Sequence, residues 1–338
     1  MITIKEIAKL TGYSPSTVSI VLRGMAKQRN ISESTAHAVE KCAAENGYMP
    51  NVQAVRLRAN ERDSRYQIAI LWSPDYRARV MSRFIKAVEN KIRMENFSCD
   101  ILLHPYEPGH LKEKLTPEII SAHHGFLICN TAEEDLSWLE SMKISKPIVL
   151  YNRYSKVYPS VAMDDRTIGS LPAEVFYRNG CKYPTYITTP STFNGMELRK
   201  NLFSYVCSEK GMRIPIGLTC ENSPSSAYQA TKALMENHPE TDCIFYSSDF
   251  YSLGGLRYFH ESGIQIPDQV KIIAVGNDES SLGEVMYPSL TAIYLPIENI
   301  GEKCINLLLE QIHFHDVPTE TTILPVHTVY RESCPEMP

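Results

Sequence analysis

The sequence lacks the features that mark a membrane or secreted protein. No apolar run approaches the roughly 18 residues of a membrane span. The N-terminus carries acidic Glu6 and has no long apolar stretch, so we expect no secretory signal. The nine cysteines are odd in number and include no CxxC pair, which is typical of reduced thiols rather than of a disulfide framework. We therefore expect a cytoplasmic protein with no membrane partner.

Patterns of the common catalytic and cofactor sites are also missing. GxGxxG, GxxxxGK[ST], HExxH and GxSxG do not occur in a fitting context. His123 and His124 lack further ligands that would complete a metal site, so we interpret them as loop or helix-end residues. The acidic run 133–135 is interpreted as a solvated helix start, where carboxylates favour the positive end of the helix dipole. We expect no enzyme, no metal and no cofactor.

The composition indicates a globular protein with two or three domains. Hydrophobic residues make up 43% and charged residues 22% of the chain, a mixture that excludes a disordered or collagen-like protein. Its 338 residues exceed the roughly 100–200 of one compact domain. Residues 1–60 hold eight Lys/Arg and four Asp/Glu, whereas the whole chain holds 34 and 39. This basic first segment indicates that the front of the chain meets a polyanion.

The first fifty residues have the pattern of three short helices. Thr3 and Glu6 have the spacing of a capping box, and Gly12 can end the helix that they begin. Ser14 is a good N-cap with Pro15 at the first helical position, and Ser32 caps a third helix. Apolar residues repeat at helical spacing at Ile4, Ile7, Ala8, Val18, Val21, Leu22, Ala36, Val39 and Ala43.

The first two helices, joined by a three-residue turn, form a helix-turn-helix candidate. The outer face of the second helix carries Ser16, Thr17, Ser19, Ile20 and Arg23. Such a helix suits a major groove, because its amides and hydroxyls bind phosphate while side chains near its start reach base edges. An ordinary three-helix bundle, or a helix-turn-helix that contacts protein, remains open from this pattern alone.

These motifs resemble the headpiece of the lactose-repressor (LacI/GalR) family. The resemblance is carried by Thr3-Ile4-Lys5-Glu6-Ile7-Ala8, Ser14-Pro15-Ser16-Thr17-Val18-Ser19, Leu22, Gly24, Ile31-Ser32, Thr35, Val39, Gly47-Tyr48 and Pro50-Asn51. It implies sequence-specific DNA binding. Ile20 stands where the family often has arginine, and an isoleucine contacts a thymine methyl rather than guanine. Arg23 replaces the usual asparagine.

The same resemblance implies a short hinge helix after Pro50 that forms on operator DNA. Leu57 holds the place of the leucine that enters the minor groove, where an apolar wedge unstacks a base step and bends the duplex. Asn51 would cap this helix, Ala54 lies within it, and Arg56 would sit near phosphates. The alternative for Leu57 is a linker residue that packs on the body.

From residue 66 onwards, short apolar runs alternate with helical patterns. The predicted strands are 67–72, 98–102, 125–129, 148–151, 185–188, 243–246, 271–275 and 291–294. The predicted helices include 82–95, 168–179, 198–210, 228–237 and 300–312. Near-continuous apolar strands alternating with helices predict parallel sheets covered on both faces. About 270 residues of this pattern exceed one doubly wound domain, so we expect two lobes with a ligand cleft between them.

The family resemblance extends more loosely over this body and implies a periplasmic-binding-protein-like fold. It is carried by Lys146-Pro147-Ile148-Val149-Leu150, Val161-Ala162-Met163-Asp164-Asp165, Arg199, Ser248-Asp249, Ile266-Pro267 and Pro288-Ser289-Leu290-Thr291. Arg199 and Asp249 become the best effector contacts, since a guanidinium fork and a fixed carboxylate bind sugar hydroxyls or phosphate. The full set of effector-binding candidates is Asp75, Tyr76, Asp165, Arg199, Asp249, Asn277 and Asp278.

Each acidic candidate has a structural alternative as a helix cap or an interlobe salt bridge. The first-lobe wall departs from the family, because Tyr76-Arg77-Ala78-Arg79 replaces an aromatic pattern. The added arginines make a phosphorylated or acidic ligand plausible beside a neutral sugar. The inducing or corepressing sign of the effector is not fixed by the sequence.

We therefore expect a homodimeric repressor with an all-α headpiece and a two-lobed α/β body of doubly wound parallel sheets. The expected domains are a DNA-binding headpiece at 1–50, a hinge and linker at 51–65, and an effector-binding and dimerisation body at 66–338. Its expected partners are double-stranded operator DNA, a sugar or sugar phosphate and a second copy of the chain. The alternatives are a body that docks a protein and, more remotely, a solute-binding receptor.

Overall fold

The computed structural model describes residues 4–22, 26, 29, 31–45, 65–73, 78–142, 144–190, 193–276, 282–314 and 318–336. The chain divides into two compact units, Met1–Arg65 and Tyr66–Pro338. No helix within those described ranges is long and apolar enough to cross a membrane.

The first unit is built from three short helices around a small apolar core. They are α1 (Ile4–Thr11), α2 (Pro15–Val21) and α3 (Glu33–Glu45). Gly12 ends α1 with φ at +75°, a conformation that glycine adopts without strain. Ser14 and Ser32 cap the next two helices by accepting hydrogen bonds from the amides of Thr17 and Thr35 at 3.1 and 3.2 Å. Buried Ile7, Ala8, Val18, Val21, Val39 and Ala43 form the core. The predicted helix-turn-helix is confirmed.

The described part of the second unit contains two six-stranded sheets. Lobe 1 has the order β2-β1-β3-β4-β5-β11, and lobe 2 has the order β7-β6-β8-β9-β10-β12. The strands of lobe 1 are β1 (Tyr66–Trp72), β2 (Cys99–Pro105), β3 (Gly125–Cys129), β4 (Ile148–Tyr151), β5 (Ser160–Met163) and β11 (Thr321–Leu324). The strands of lobe 2 are β6 (Pro184–Thr188), β7 (Ile216–Thr219), β8 (Cys243–Tyr246), β9 (Lys271–Gly276), β10 (Thr291–Tyr294) and β12 (His327–Val329).

Both sheets are parallel except where β12 pairs antiparallel with β10. Every residue of β3, β4 and β8 is buried, as expected for strands that are covered on both faces. The predicted two-lobed, doubly wound α/β body is confirmed.

Helices cover both sheets. They are α4 (Ala78–Met94), α5 (Leu111–Lys114), α6 (Pro117–Ala122), α7 (Glu133–Met142), α8 (Asp165–Arg178), α9 (Asn194–Glu209), α10 (Pro224–Asn237), α11 (Asp249–Ser262), α12 (Leu282–Val285) and α13 (Ile297–Phe314). In lobe 1, α13 packs on α4 and on β3, β4 and β5. In lobe 2, α8 packs on α9, and α10 packs on α11.

The chain passes between the lobes three times in the described residues. It leaves β5 of lobe 1 for α8 of lobe 2, returns from β10 to α13, and crosses again between β11 and β12. One core cluster accordingly joins residues of both lobes, from Ile70 and Phe84 in lobe 1 to Phe203 and Phe245 in lobe 2. The carboxyl ends of β5, β10 and β11 therefore lead into the crossings between the lobes.

One local interpretation from the sequence is wrong in part. The acidic run 133–135 does begin α7, but Asp135 is not solvated, because only 3% of it is exposed. Its carboxylate accepts hydrogen bonds from the amides of Gly109 and Leu111 at 2.8 and 3.0 Å. These bonds fix the turn before α5, a long-range role that a run of three acidic residues does not reveal. His123 does end α6 as predicted, with Nδ1 hydrogen-bonded to the carbonyl of Ile119.

Candidate functional site

The outer face of α2 carries the described part of the proposed DNA-binding set. Ser14, Pro15 and Ser16 are exposed, whereas Thr17, Ser19 and Ile20 are half-buried. Ser14 is engaged by its cap, and its hydroxyl lies 2.9 Å from that of Thr17. The buried hydroxyl of Ser19 has no hydrogen-bond partner among the described residues. The exposed start of α2 is thus the most accessible part of this face.

Ten other predicted site residues lie outside the described residues. In the DNA-binding set they are Thr3, Arg23, Asn51, Ala54, Arg56 and Leu57. In the effector set they are Asp75, Tyr76, Asn277 and Asp278. Their roles stay predictions.

Arg199 and Asp165 form a buried ion pair at the first crossing between the lobes. Their side chains are 3% and 0% exposed, and Arg199 Nε and Nη2 lie 2.7 and 2.6 Å from Asp165 Oδ1. Further guanidinium contacts go to sulfur: Nη2 is 3.1 Å from Sδ of Met163, and Nη1 is 3.6 Å from Sδ of Met196. A thioether is a weak acceptor. Arg199 therefore keeps donors whose contacts are weak and which a ligand oxygen would satisfy better.

Asp164 rather than Asp165 caps α8. Its Oδ1 accepts hydrogen bonds from the amides of Arg166 and Thr167, each at 3.1 Å. Because Asp164 forms the cap, the carboxylate of Asp165 is available to pair with Arg199. Asp165 therefore fits neither structural alternative that the sequence left open: it is not the cap, and its ion pair with Arg199 joins two helices of lobe 2 rather than the two lobes.

Two glycines let α9 approach α8 closely enough for this pair to form. A Cβ on Gly169 would lie 2.6 Å from the carbonyl oxygen of Arg199. A Cβ on Gly195 would lie 2.5 Å from Oδ2 of Asp165 and closer still to the ring of Phe193. Backbone approach of this kind requires glycine at both positions.

Tyr154 borders the ion pair. Its hydroxyl lies 3.4 Å from Oδ2 of Asp165 and 3.5 Å from the carbonyl oxygen of Met163. Burial first, and then the negative charge of Asp165, raises the pKa of Tyr154 to about 12. The phenol therefore stays neutral at physiological pH and donates a hydrogen bond to Asp165.

Arg153 is a site residue that sequence reasoning missed. It follows β4 in lobe 1 and is buried, with Nε donating to the carbonyl of Thr131 and Nη1 to that of Asn152 at 2.6 Å. Its guanidinium carbon lies 4.1 Å from the ring centroid of Phe193 in lobe 2. A cation over an aromatic face thus joins the lobes. The available signal was the Asn152-Arg153 pair directly after a buried strand.

The carboxyl ends of β3 and β8 present buried polar atoms. Asn130 follows β3 in the left-handed region with φ at +57°, which asparagine tolerates. Oδ1 of Asn130 and the hydroxyls of Thr131 and Ser247 have no hydrogen-bond partner within the described parts of the chain. Buried polar groups are normally hydrogen-bonded, so these atoms indicate a place for a polar ligand.

Asp249 lies in lobe 2 as the first residue of α11 and is buried. Ser248 caps this helix by accepting a hydrogen bond from the amide of Phe250 at 3.2 Å, and its hydroxyl lies 3.4 Å from Asp249 Oδ1. The cap places Asp249 at the carboxyl end of β8. In parallel sheets of this kind, ligands bind beyond the carboxyl ends of strands.

Known proteins match both parts of the chain. Residues 3–51 match the bacterial regulatory proteins of the lacI family, and residues 173–334 match a periplasmic binding protein-like domain. The ribose operon repressor of Halalkalibacterium halodurans is 28% identical over 334 residues, which cover 98% of this chain and 97% of that protein.

Solved structures show the same architecture. A LacI family transcription regulator from Clostridium acetobutylicum is 26% identical, with a TM-score of 0.73 over 79% of this chain and 100% of that one. The lac repressor dimer bound to operator and the anti-inducer ONPF is 18% identical, with a TM-score of 0.71 over 99% of each chain, and shares the fold.

The headpiece match disfavours a solute-binding receptor, and the family consists of regulators of transcription rather than enzymes. Both conclusions agree with the sequence motifs. The headpiece, the two-lobed body and the full-length relatives together show that this chain belongs to the LacI family of bacterial transcription regulators.

Proposed function

We propose that this protein represses transcription by binding a pseudo-palindromic operator as a homodimer. A sugar or sugar phosphate bound between the lobes would change its affinity for DNA. The effector part of the proposal rests on one observation: buried polar groups lie at the carboxyl ends of the strands where the lobes meet. There, Arg199 has weakly satisfied donors, and Asn130, Thr131 and Ser247 have unpartnered polar atoms. A polyhydroxylated ligand matches such a mixture of donors and acceptors.

The headpiece supports the DNA half of the proposal. Its helix-turn-helix presents the exposed start of α2, and a two-fold dimer would place two such helices on matching half-sites. The proposed DNA contacts are Thr3, Ser14, Pro15, Ser16, Thr17, Ser19, Ile20, Arg23, Asn51, Ala54, Arg56 and Leu57. Because the proposed operator is chromosomal DNA, we propose that the protein acts in the cytoplasm.

The proposed effector contacts are Asp75, Tyr76, Asp165, Arg199, Asp249, Asn277 and Asp278, to which we add Arg153 and Asn130. The ion pair favours hydroxyl groups over phosphate at Arg199 itself, because Asp165 already neutralises its charge. A phosphate would instead need the arginines that follow Tyr76 in the sequence.

Coupling to DNA follows from the position of the ion pair. Arg199 belongs to lobe 2 and contacts Met163 at the end of β5 in lobe 1. A ligand oxygen that takes donors from Arg199 would change this contact between the lobes. Because such coupling is reciprocal, the effector should change DNA affinity by the same factor by which DNA changes effector affinity.

Calorimetric titration with pairs of a neutral sugar and its phosphate tests the effector. Arg199→Lys keeps a cation beside Asp165 but removes the guanidinium fork, so we expect effector affinity to fall by at least about 10-fold, or about 1.4 kcal/mol. Arg257→Lys changes an exposed ion pair of lobe 2 and should leave affinity unchanged. Both variants should bind operator normally without effector. Unaltered affinity in Arg199→Lys would refute its role, and no binding of any sugar would favour a protein partner.

A further inference from the structure

Three potential metal ligands meet at the amino end of the lobe 2 sheet, opposite the proposed effector edge. The ligand atoms of Cys181, Asp242 and Cys243 all lie within 4.8 Å of one another. Cys181 and Cys243 are buried, with 5% and 0% of each residue exposed. We propose that this group, the Cys181 site, binds a thiophilic divalent cation such as Zn²⁺.

Local structure fixes all three residues. Gly180 ends α8 with φ at +76°, and the amide of Cys181 then bonds to the carbonyl of Phe176 at 3.0 Å. The carboxylate of Asp242 accepts hydrogen bonds from the amides of Lys182 and Tyr183 at 2.6 and 2.9 Å. These bonds hold the turn after α8 against the start of β8. The ligands are therefore preorganised by backbone contacts and not by a loop free to move apart.

The donor set suits zinc. Structural zinc is bound by thiolate, imidazole and carboxylate ligands in a tetrahedral arrangement, with bonds of about 2.0–2.3 Å. Ligand atoms within 4.8 Å of one another need only a small closure to reach such bonds. Three protein ligands leave one tetrahedral position for a further thiol or a water molecule.

Two further cysteines adjoin the site. The thiols of Cys207 and Cys334 both lie close enough to that of Cys181 to interact with it electrostatically. Four of the nine cysteines, distant in the sequence, thus lie near one another in lobe 2.

The surroundings compensate the charge that a loaded site would carry. A site of two thiolates, one carboxylate and one divalent cation would have one net negative charge. Cys181 lines a surface groove of ≈ 380 Å³ that Lys182, Lys210 and Arg213 also line, and this groove connects the site with solvent. Arg213 is also paired with Glu240, so Lys182 and Lys210 are the cations of this groove that would offset the negative charge of a loaded site.

Cobalt substitution in the reduced full-length protein tests the proposal. We expect one Co²⁺ per chain, with a thiolate-to-cobalt charge-transfer absorption that Zn²⁺ abolishes by displacement. Loss of an outer-shell partner typically costs about 10–100-fold in metal affinity, so Cys181→Ser should cost at least about 100-fold. Cys220→Ser, which removes a buried thiol elsewhere in lobe 2, should bind like the parent protein.

Two further variants keep the test decisive. Cys243→Ala removes a ligand without burying a hydroxyl, and Asp242→Asn retains the shape of the carboxylate; both should weaken Co²⁺ binding. Operator binding by each variant reports that it is folded, since the site takes no part in the proposed DNA or effector contacts. Folded, reduced parent protein that takes up no Co²⁺, or Co²⁺ binding by Cys181→Ser as tight as that of the parent protein, would overturn the proposal.

Discussion

Arginine–carboxylate ion pairs differ in burial and role between the junction of the lobes and the outer surface of lobe 2. At the junction, Arg199 and Asp165 are almost fully buried and each is held by several contacts. On the outer surface, Arg257 pairs with Glu261 within one helix, and the side chain of Arg257 is 69% exposed. Exposed pairs contribute little to stability, whereas a buried charge depends on its partner. The buried ion pair at the junction is therefore expected to contribute both to stability and to the proposed response to ligand.

The two sheets make the same comparison at the level of topology. Their first five strands follow one order, and only the sixth differs, being parallel in lobe 1 and antiparallel in lobe 2. At the amino end of the lobe 1 sheet, the backbone amide of Gln67 donates to Nδ1 of His124, and its side-chain amide donates to the carboxylate of Asp100. The polar groups there are thus hydrogen-bonded to one another. At the amino edge of lobe 2, Asp242 lies among thiols instead. Shared topology thus fixes where sites form, and local residues decide what they bind.

Arg199→Ala is the strongest test of the contrast between buried and exposed charge. It should lower the free energy of unfolding by about 3–5 kcal/mol, because Asp165 would stay buried without its partner. Arg257→Ala should leave stability close to that of the parent protein. Urea unfolding of the two variants measures both. Equal stability in the two variants would show that burial does not distinguish these ion pairs.

Gly169→Ala tests the packing of α8 against α9. The added methyl would lie 2.6 Å from the carbonyl oxygen of Arg199, so we expect a loss of about 1–3 kcal/mol from overpacking. The matched control is Gly217→Ala in β7, where the nearest atom would be the flexible end of Lys200 at 3.9 Å. Thermal unfolding compares the two. Tolerance of alanine at Gly169 would contradict the close approach of the helices.

Replacement of Tyr154 by phenylalanine is expected to have the smallest effect of these changes, and the effect concerns the pH dependence of stability. The pKa of Tyr154 is raised to about 12 in the folded protein, above the ordinary value of 10.0. The stability that it contributes is therefore fully present below pH 10 and is lost as the pH rises towards 12. A spectrophotometric titration of tyrosine ionisation, parent protein minus Tyr154→Phe, should show this late phenol. A difference with its midpoint near the ordinary pKa would contradict the contact with Asp165.

Much of the fold could be predicted from hydrophobic patterning. The predicted strands at 125–129, 148–151, 243–246 and 291–294 have the observed bounds, because each is a short run of mostly apolar residues between stretches with a different pattern. β7 and β11 were not predicted, since their residues are half-buried or exposed and give no apolar run. β5 and β12 were not predicted either: β12 has only three residues, and β5 pairs with neighbouring β4 at two positions but with the distant β11 at four.

The candidate site was predicted only in part. Family motifs identified Arg199 and Asp165, but their mutual pairing arises from a contact across 34 positions that no local pattern encodes. Arg153 and Phe193 were missed for the same reason, since their contact exists only when the lobes meet. The thiol cluster was missed because Cys181 and Cys243 come together through the fold and not through motif spacing.

Operator recognition by the headpiece is measured by selecting bound sequences from random duplex DNA with the purified protein. We expect enrichment of a palindrome with two matching half-sites, because a two-fold dimer presents two headpieces. Selection would be repeated with a pool of sugars and sugar phosphates, which covers a protein that requires a corepressor. Salt-sensitive binding with no enriched sequence under either condition would contradict the assignment of the headpiece as an operator reader.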